Sequence, residues 1–296
     1  MRKKLHYGPS IDGAVDAPQA VTDALLEHAM TACEVPPSGK FWNDYEAATE
    51  LGRLAAANGI TLSLHAPIAG FMGHAERGKK LNMAFGMLDH SAGIAKAAGA
   101  EVVVFHPGFL LNRSREDAID AVVEQLGELR ARLEAKDRAV PFGIEVMGRV
   151  RDLGSLDDCV EISRRAGWVR PVIDFAHMHA TSDGAFTTVK AFHDVLAAAN
   201  RVLSRGAPFH IHFSDIAYAN RNETKHLPYG EGTLRVEPLG KALARFSRPA
   251  TVISEAPGEE SHQAIRAELY SAAGTSSPRR SPARTAAASR PTSRRN

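Results

Sequence analysis

Cysteine is almost missing from the chain: Cys33 and Cys159 are the only two in 296 residues, and they fall in stretches that read as a strand and a helix. That excludes a disulfide framework and a CxxC metal site, and both thiols read as buried and reduced. No run of about 18 apolar residues occurs, so no membrane-spanning helix is expected. The segment Met1-Arg2-Lys3-Lys4-Leu5-His6 is basic but leads into no apolar region or cleavage site, which favours a cytoplasmic protein over a secreted one. Neither GxGxxG nor GxxxxGK[ST] follows the first β-type run, which removes the usual phosphate cradles of nucleotide-binding folds. Acidic residues are missing from residues 272–296, which carry six Arg and leave the rest of the chain at about −4 from a net charge of +2. This Ser, Pro, Ala and Arg composition cannot bury enough apolar surface to offset its ordering entropy. It reads as a disordered tail behind one domain over residues 1–271, serving either as a solubilising extension or as a salt-sensitive clamp on polyanions.

What is present is alternation. Eight β-type runs are read at Leu5–Gly8, Ala29–Val35, Thr61–Ala66, Glu101–His106, Pro141–Met147, Val169–Phe175, Phe209–Ser214 and Ala250–Glu255, with stretches of helical period between them. Ala118, Ile119, Val122, Val123, Leu126, Leu129 and Leu133, for example, share one helical face. Runs such as Val102-Val103-Val104-Phe105 are continuously apolar, as parallel strands covered on both sides require. Eight β/α units in about 270 residues predict a single α/β domain, a (β/α)8 TIM barrel, in preference to an open doubly wound sheet.

In such a barrel the chemistry collects where strands run into their following loops. Six successive runs end in ligand-type residues: His65, His106, Glu145, Asp174 with His177, His212, and Glu255. One such residue is unremarkable, but several imidazoles and carboxylates converging on one mouth are electrostatically costly unless cations sit among them. Mixed nitrogen and oxygen donors suit Zn2+ or Mn2+ better than Ca2+ or Mg2+. Glu145, in the middle of the set, is placed to bridge two ions at the spacing used in phosphate ester hydrolysis. His210 and His212 are read as facing opposite sides of their strand, with His212 as the ligand. Asp215 is read as a partner to a ligand imidazole, His179 as a loop residue, and 216–236 as a long loop presenting His226.

Five motifs, His65-Ala66-Pro67, Phe105-His106-Pro107-Gly108, Asp174-Phe175-Ala176-His177, His212-Phe213-Ser214-Asp215 and His226-Leu227-Pro228-Tyr229-Gly230-Glu231-Gly232, resemble the endonuclease IV family in residue type and order. That resemblance spans about residues 5–271. It implies a monomeric DNA-repair enzyme that cuts double-stranded DNA on the 5′ side of abasic sites, with Glu145 and Glu255 catalytic. It implies that His65, His106 and Glu145 hold one zinc, and that Glu145, Asp174, His212 and Glu255 hold a second. His177 and His226 are implied as ligands of a third zinc, but the family's aspartate two residues before the second His is Thr224 here, with Glu223 beside it. Ile68 stands where the family tends to place a lesion-invading aromatic, so Phe71 or Met72 is the expected apolar wedge, and Lys40 beside Phe41-Trp42 the expected DNA-inserting basic residue. Arg77, Lys79 and Lys80, or Arg221 and Lys225, are the expected basic patches. The rival reading is a sugar isomerase or epimerase of the xylose-isomerase-like barrels, which share a Glu, Asp, His, Glu set that the same four residues match. The additional His65, His106, His177 and His226 favour the multi-zinc phosphodiesterase.

Overall fold

The computed structural model describes residues 5–36 and 44–278. Its framework is an eight-stranded parallel sheet of β1 (Leu5–Pro9), β2 (Ala32–Val35), β3 (Thr61–His65), β4 (Val103–Phe105), β5 (Phe142–Glu145), β6 (Val169–Asp174), β7 (Phe209–Phe213) and β10 (Ala250–Ser254). Strands β2 to β7 follow chain order, β10 pairs with both β7 and β1, and Ser10 bridges to Glu34 to join the two ends. The TIM barrel expected from the sequence is therefore what forms. At the seam the β1 backbone passes so close to β2 that a Cβ on Gly8 would stand 1.6 Å from Ala32 O.

The outer layer is built by α1 (Pro18–Glu27), α2 (Tyr45–Ala57), α3 (Lys79–Ala98), α4 (Arg115–Ala135), α5 (Leu156–Ala166), α7 (Val189–Val202), α8 (Glu237–Leu243) and α9 (Glu259–Ala272). In α4 the predicted face is the buried one, with Ala118, Ile119, Val122, Leu126, Leu129 and Leu133 against the sheet. Ser114 accepts from the Asp117 amide and starts that helix. Among the described residues no helix is long and apolar enough to cross a membrane.

Two elements escaped the sequence reading. A helix of about two turns, α6 (Phe175–Thr181), starts directly from β6, with Asp174 as its N-cap accepting from the His177 amide. The segment expected to be a loop contains an antiparallel hairpin of β8 (Asp215–Ala219) and β9 (Asn222–Leu227).

Strand alternation decides what the barrel interior holds, because residues two apart face the same way. Val102, Val104 and Val172 form a small apolar cluster of their own, and the next inward positions along the same strands are His106 and Asp174. By the same count Ser63 and His65, Gly143 and Glu145, His210 and His212 are stacked pairs. A polar layer thus sits on the C-terminal end of an apolar plug.

Candidate metal centre

Glu145 lies at the middle of that layer, fully buried. Its Oε2 is 3.1 Å from His65 Nε2 and 3.0 Å from His106 Nε2, while its Oε1 is 2.8 Å from His212 Nδ1. His212 Nδ1 also lies 3.5 Å from Glu255 Oε1 and 4.0 Å from Asp174 Oδ2. Beside them, His177 Nε2 is 2.8 Å from Glu223 Oε2, and His226 Nε2 faces Glu255 Oε2 at 3.9 Å. These residues form three donor sets, each with its atoms within 4.8 Å of one another: His65, His106 and Glu145; Glu145, Asp174, His212 and Glu255; His177, Glu223 and His226. A fourth, fully buried set is Glu34, His210 and His212.

These spacings fit bound cations. Donors bonded to zinc at about 2.0–2.2 Å stand roughly 3.0–3.5 Å apart at octahedral or tetrahedral angles. Asp174 Oδ2 is buried and has no hydrogen-bond partner, as a carboxylate oxygen reserved for a cation would be. The donor nitrogens are also preset. His65 donates from Nδ1 to Ala66 O (2.7 Å) and His177 from Nδ1 to Val146 O (2.8 Å), so each turns Nε2 to the site.

Electrostatics within the cluster reflect its crowding. Burial alone would raise the Glu145 carboxyl, but His212, His106 and His65 hold it well below the usual range. Burial works to lower His212, yet Glu34, Glu255 and Glu145 lift it well above an ordinary imidazole. Asp174 is pushed up to about 6 by burial, with Glu255 and Glu145 adding to the effect against His177.

The structure brings together all eight residues expected as ligands and adds Glu223. The route is a β-bulge: Ala217 faces Lys225 and Tyr218 faces Glu223, which leaves Thr224 with no residue opposite it in the strand register. The extra residue puts Glu223 on the same face as His226, three residues away. Thr224 instead is exposed and donates to Ala217 O at 2.9 Å. Glycine at 148 leaves room for the Glu223 carboxylate, since a Cβ there would stand 2.5 Å from Glu223 Oε2 and displace it.

Other expectations are corrected. Met72 is fully buried in the core and is no wedge. Phe71 is half-buried, stacked on His74 at 4.4 Å and edge-on to Phe109 at 5.2 Å. The apolar side chains exposed around the mouth are Ile68 (68%), Phe109, Leu111 and Val150. Lys40, with Phe41 and Trp42, lies outside the described residues. Asp215 touches no ligand imidazole; it accepts from the amides of Gly232 (2.8 Å), Leu234 (3.1 Å) and Gly230 (3.2 Å) and so ties the glycine loop down. His179 is buried in α6 and bonds Thr233 Oγ1 at 2.8 Å. His210 and His212 share one face of β7, as residues two apart must, with ring centroids 5.6 Å apart. In the first expected basic patch Arg77 is engaged by Glu124 and Glu128 while Lys79 and Lys80 are exposed; in the second Arg221 and Lys225 are exposed, with Arg151 also exposed and Arg149 paired with Glu223 at 3.6 Å.

Sequence reasoning missed Glu34. Fully buried in β2, it receives Ser63 Oγ–H on Oε2 at 2.8 Å and faces His210 Nε2 at 3.1 Å and His212 Nε2 at 3.0 Å. A lone carboxylate inside an apolar strand was the available signal.

Fold and site together define a TIM-barrel protein whose mouth is furnished with histidine and carboxylate donors. The chain belongs to the xylose isomerase-like TIM barrel family, whose profile matches residues 22–273. An uncharacterised protein of Methanocaldococcus jannaschii is 31% identical over 170 residues, 57% of this chain. The match spans 62% of that relative's length. Among solved structures, endonuclease IV from Thermus thermophilus superposes with a TM-score of 0.69 at 16% identity, covering 91% of this chain and 99% of its own. A D-tagatose 3-epimerase-like protein gives 0.70 at 16%, covering 91% and 97%. A 3-keto-D-glucoside 4-epimerase from E. coli gives 0.63 at 16%, covering 92% and 100%. These likenesses establish the fold.

Proposed function

We propose that the protein is a zinc-dependent phosphodiesterase that incises duplex DNA on the 5′ side of abasic sites. The observation that carries this reading is the position of Glu145, whose two oxygens face different donor sets, His65 and His106 on one side and His212 on the other. A carboxylate so placed is suited to bridging two cations, and the set of His177, Glu223 and His226 offers a third position. Bound zinc supplies Lewis-acid charge for the developing negative charge on the phosphate and the departing 3′-oxygen. Manganese is the alternative metal.

The chain's own residues have distinct tasks. Glu145, Asp174, His212 and Glu255 fix the centre of the mouth; Glu255, about one-fifth exposed, is the carboxylate open to solvent and takes the proton of the attacking water. Arg149, Arg151, Arg221 and Lys225 draw the phosphate backbone toward the mouth. Ile68 takes the wedge role expected of Phe71 or Met72, since it is the most exposed large apolar side chain at the rim. An abasic nucleotide unstacks at less cost than a paired one, which favours its entry into the pocket.

The test is cleavage of a labelled duplex containing one abasic site, with and without chelator. Chelator-sensitive nicking 5′ to the lesion is the expected result. The second reading, a sugar epimerase, draws on the compact set of Glu145, Asp174, His212 and Glu255 alone. An intact duplex, together with proton exchange next to the carbonyl of a ketose, would replace the nuclease reading with it.

A further inference from the structure

His212 is turned the opposite way from the other site imidazoles whose second nitrogen is visibly engaged. His65 and His177 are held at Nδ1 by backbone carbonyls, and His226 Nδ1 sits 2.5 Å from Ser214 Oγ, so all three present Nε2. His212 presents Nδ1 to Glu145, Asp174 and Glu255, and its Nε2 lies 3.0 Å from Glu34 Oε1. Glu34 Oε1 and His212 Nε2 are both buried and neither makes an aligned hydrogen bond among the described residues, so each is the other's close ion-pair contact.

We infer that Glu34 is a positioning residue for the central cation: it fixes the proton of His212 on Nε2 and thereby keeps the Nδ1 lone pair aimed at Glu145, Asp174 and Glu255. The inference rests on the metal reading of that set. An ionised carboxylate only accepts, so the imidazole nitrogen facing it must carry the hydrogen. In a neutral ring the other nitrogen is then bare. Glu34 is itself held, because Ser63 lies opposite it in the β2–β3 register and donates to Oε2, which His210 also approaches. All four side chains are buried. The contact therefore reaches through the barrel from β2 to β7, and it specifies a tautomer that backbone carbonyls specify for His65 and His177. A partner carboxylate also makes a ligand imidazole more basic, and losing such a partner typically weakens metal affinity by about 10- to 100-fold.

The test compares wild type, E34Q and S63A, titrated with Zn2+ against a competing chelator, with the His212 tautomer of the zinc-loaded proteins read by long-range 1H–15N correlation. A glutamine keeps the volume of Glu34 but can turn its NH2 to Nε2, which releases the ring to the Nδ1–H tautomer. E34Q is expected to lose about 10- to 100-fold in affinity for one zinc per chain, and the wild-type ring to carry its proton on Nε2. Should E34Q fail to fold, S63A decides, since it removes only the hydroxyl that steadies Glu34, and a few-fold weakening is expected. Wild-type affinity in a folded E34Q, or in S63A if E34Q does not fold, overturns the role of Glu34 while leaving the metal reading standing. A wild-type protein that takes up no zinc overturns both.

Discussion

An imidazole offers a cation only the nitrogen that has lost its proton, so metal binding at this mouth competes with protonation. In the metal-free chain burial works against protonated His65, but Glu145 raises it from 6.5 to about 9. Its protonated form then contributes stability in full below about pH 6.5, and that contribution is lost as pH rises through 9. Asp174, raised from 3.8 to about 6 mainly by burial, acts in the same sense at lower pH. Glu34 and Glu145, held low by their histidine partners against burial, act oppositely and withdraw support on acidification through their depressed values. The metal-free protein should therefore lose melting temperature between pH 6 and 9, while saturating zinc should stabilise more as pH rises. Thermal unfolding at both pH values with and without zinc checks this; a metal-free melting temperature that is flat or rising contradicts it. Residues that end strands, such as His65, His106 and Glu255, were legible because strand ends are where a barrel exposes its interior. Glu34 was not, because one charged residue inside Ala-Cys-Glu-Val does not alter the strand pattern, and its partner His212 is 178 positions further along the chain.

The β8–β9 hairpin is the element on which the third donor set depends. Period-two counting from His226 puts Thr224 on the ligand face, and only the bulge transfers that place to Glu223. The sequence carries no signature of the bulge itself, so the hairpin read as a loop and Glu223 as a neighbour within reach. E223A should remove about one zinc per chain, or weaken the last one bound by roughly 10- to 100-fold. T224D should not strengthen binding, because position 224 faces solvent. Elemental analysis of both variants decides; a gain of affinity in T224D with no loss in E223A would return the ligand role to position 224. The short α6 was hidden for a related reason. Asp174 ends a strand and caps a helix at once, and Asp174-Phe175-Ala176-His177 fits either pattern.

At the scale of the whole molecule, the alternation of β-type and helical runs was enough to predict eight strands and a closed barrel, because continuous apolar strands need cover on both faces. Strand limits shifted by a few residues: the second run begins at Ala32, not Ala29, where Ala29 takes a positive φ of 53°. The barrel also sets where the protein tolerates change. Leu126, fully buried on the inner face of α4, should cost about 2–5 kcal/mol when cut to Ala. Gly8→Ala should destabilise severely, since the added Cβ meets β2 backbone at the seam; urea unfolding of each variant measures both.

The account stands or falls on whether several cations occupy one mouth joined through Glu145. Zinc per chain, measured by elemental analysis of the purified protein beside an E145Q variant, tests this most directly. Two or three zinc ions in the wild type, with at least two donor sets weakened together in E145Q, is the predicted result. A single ion, or stoichiometry indifferent to E145Q, would contradict it.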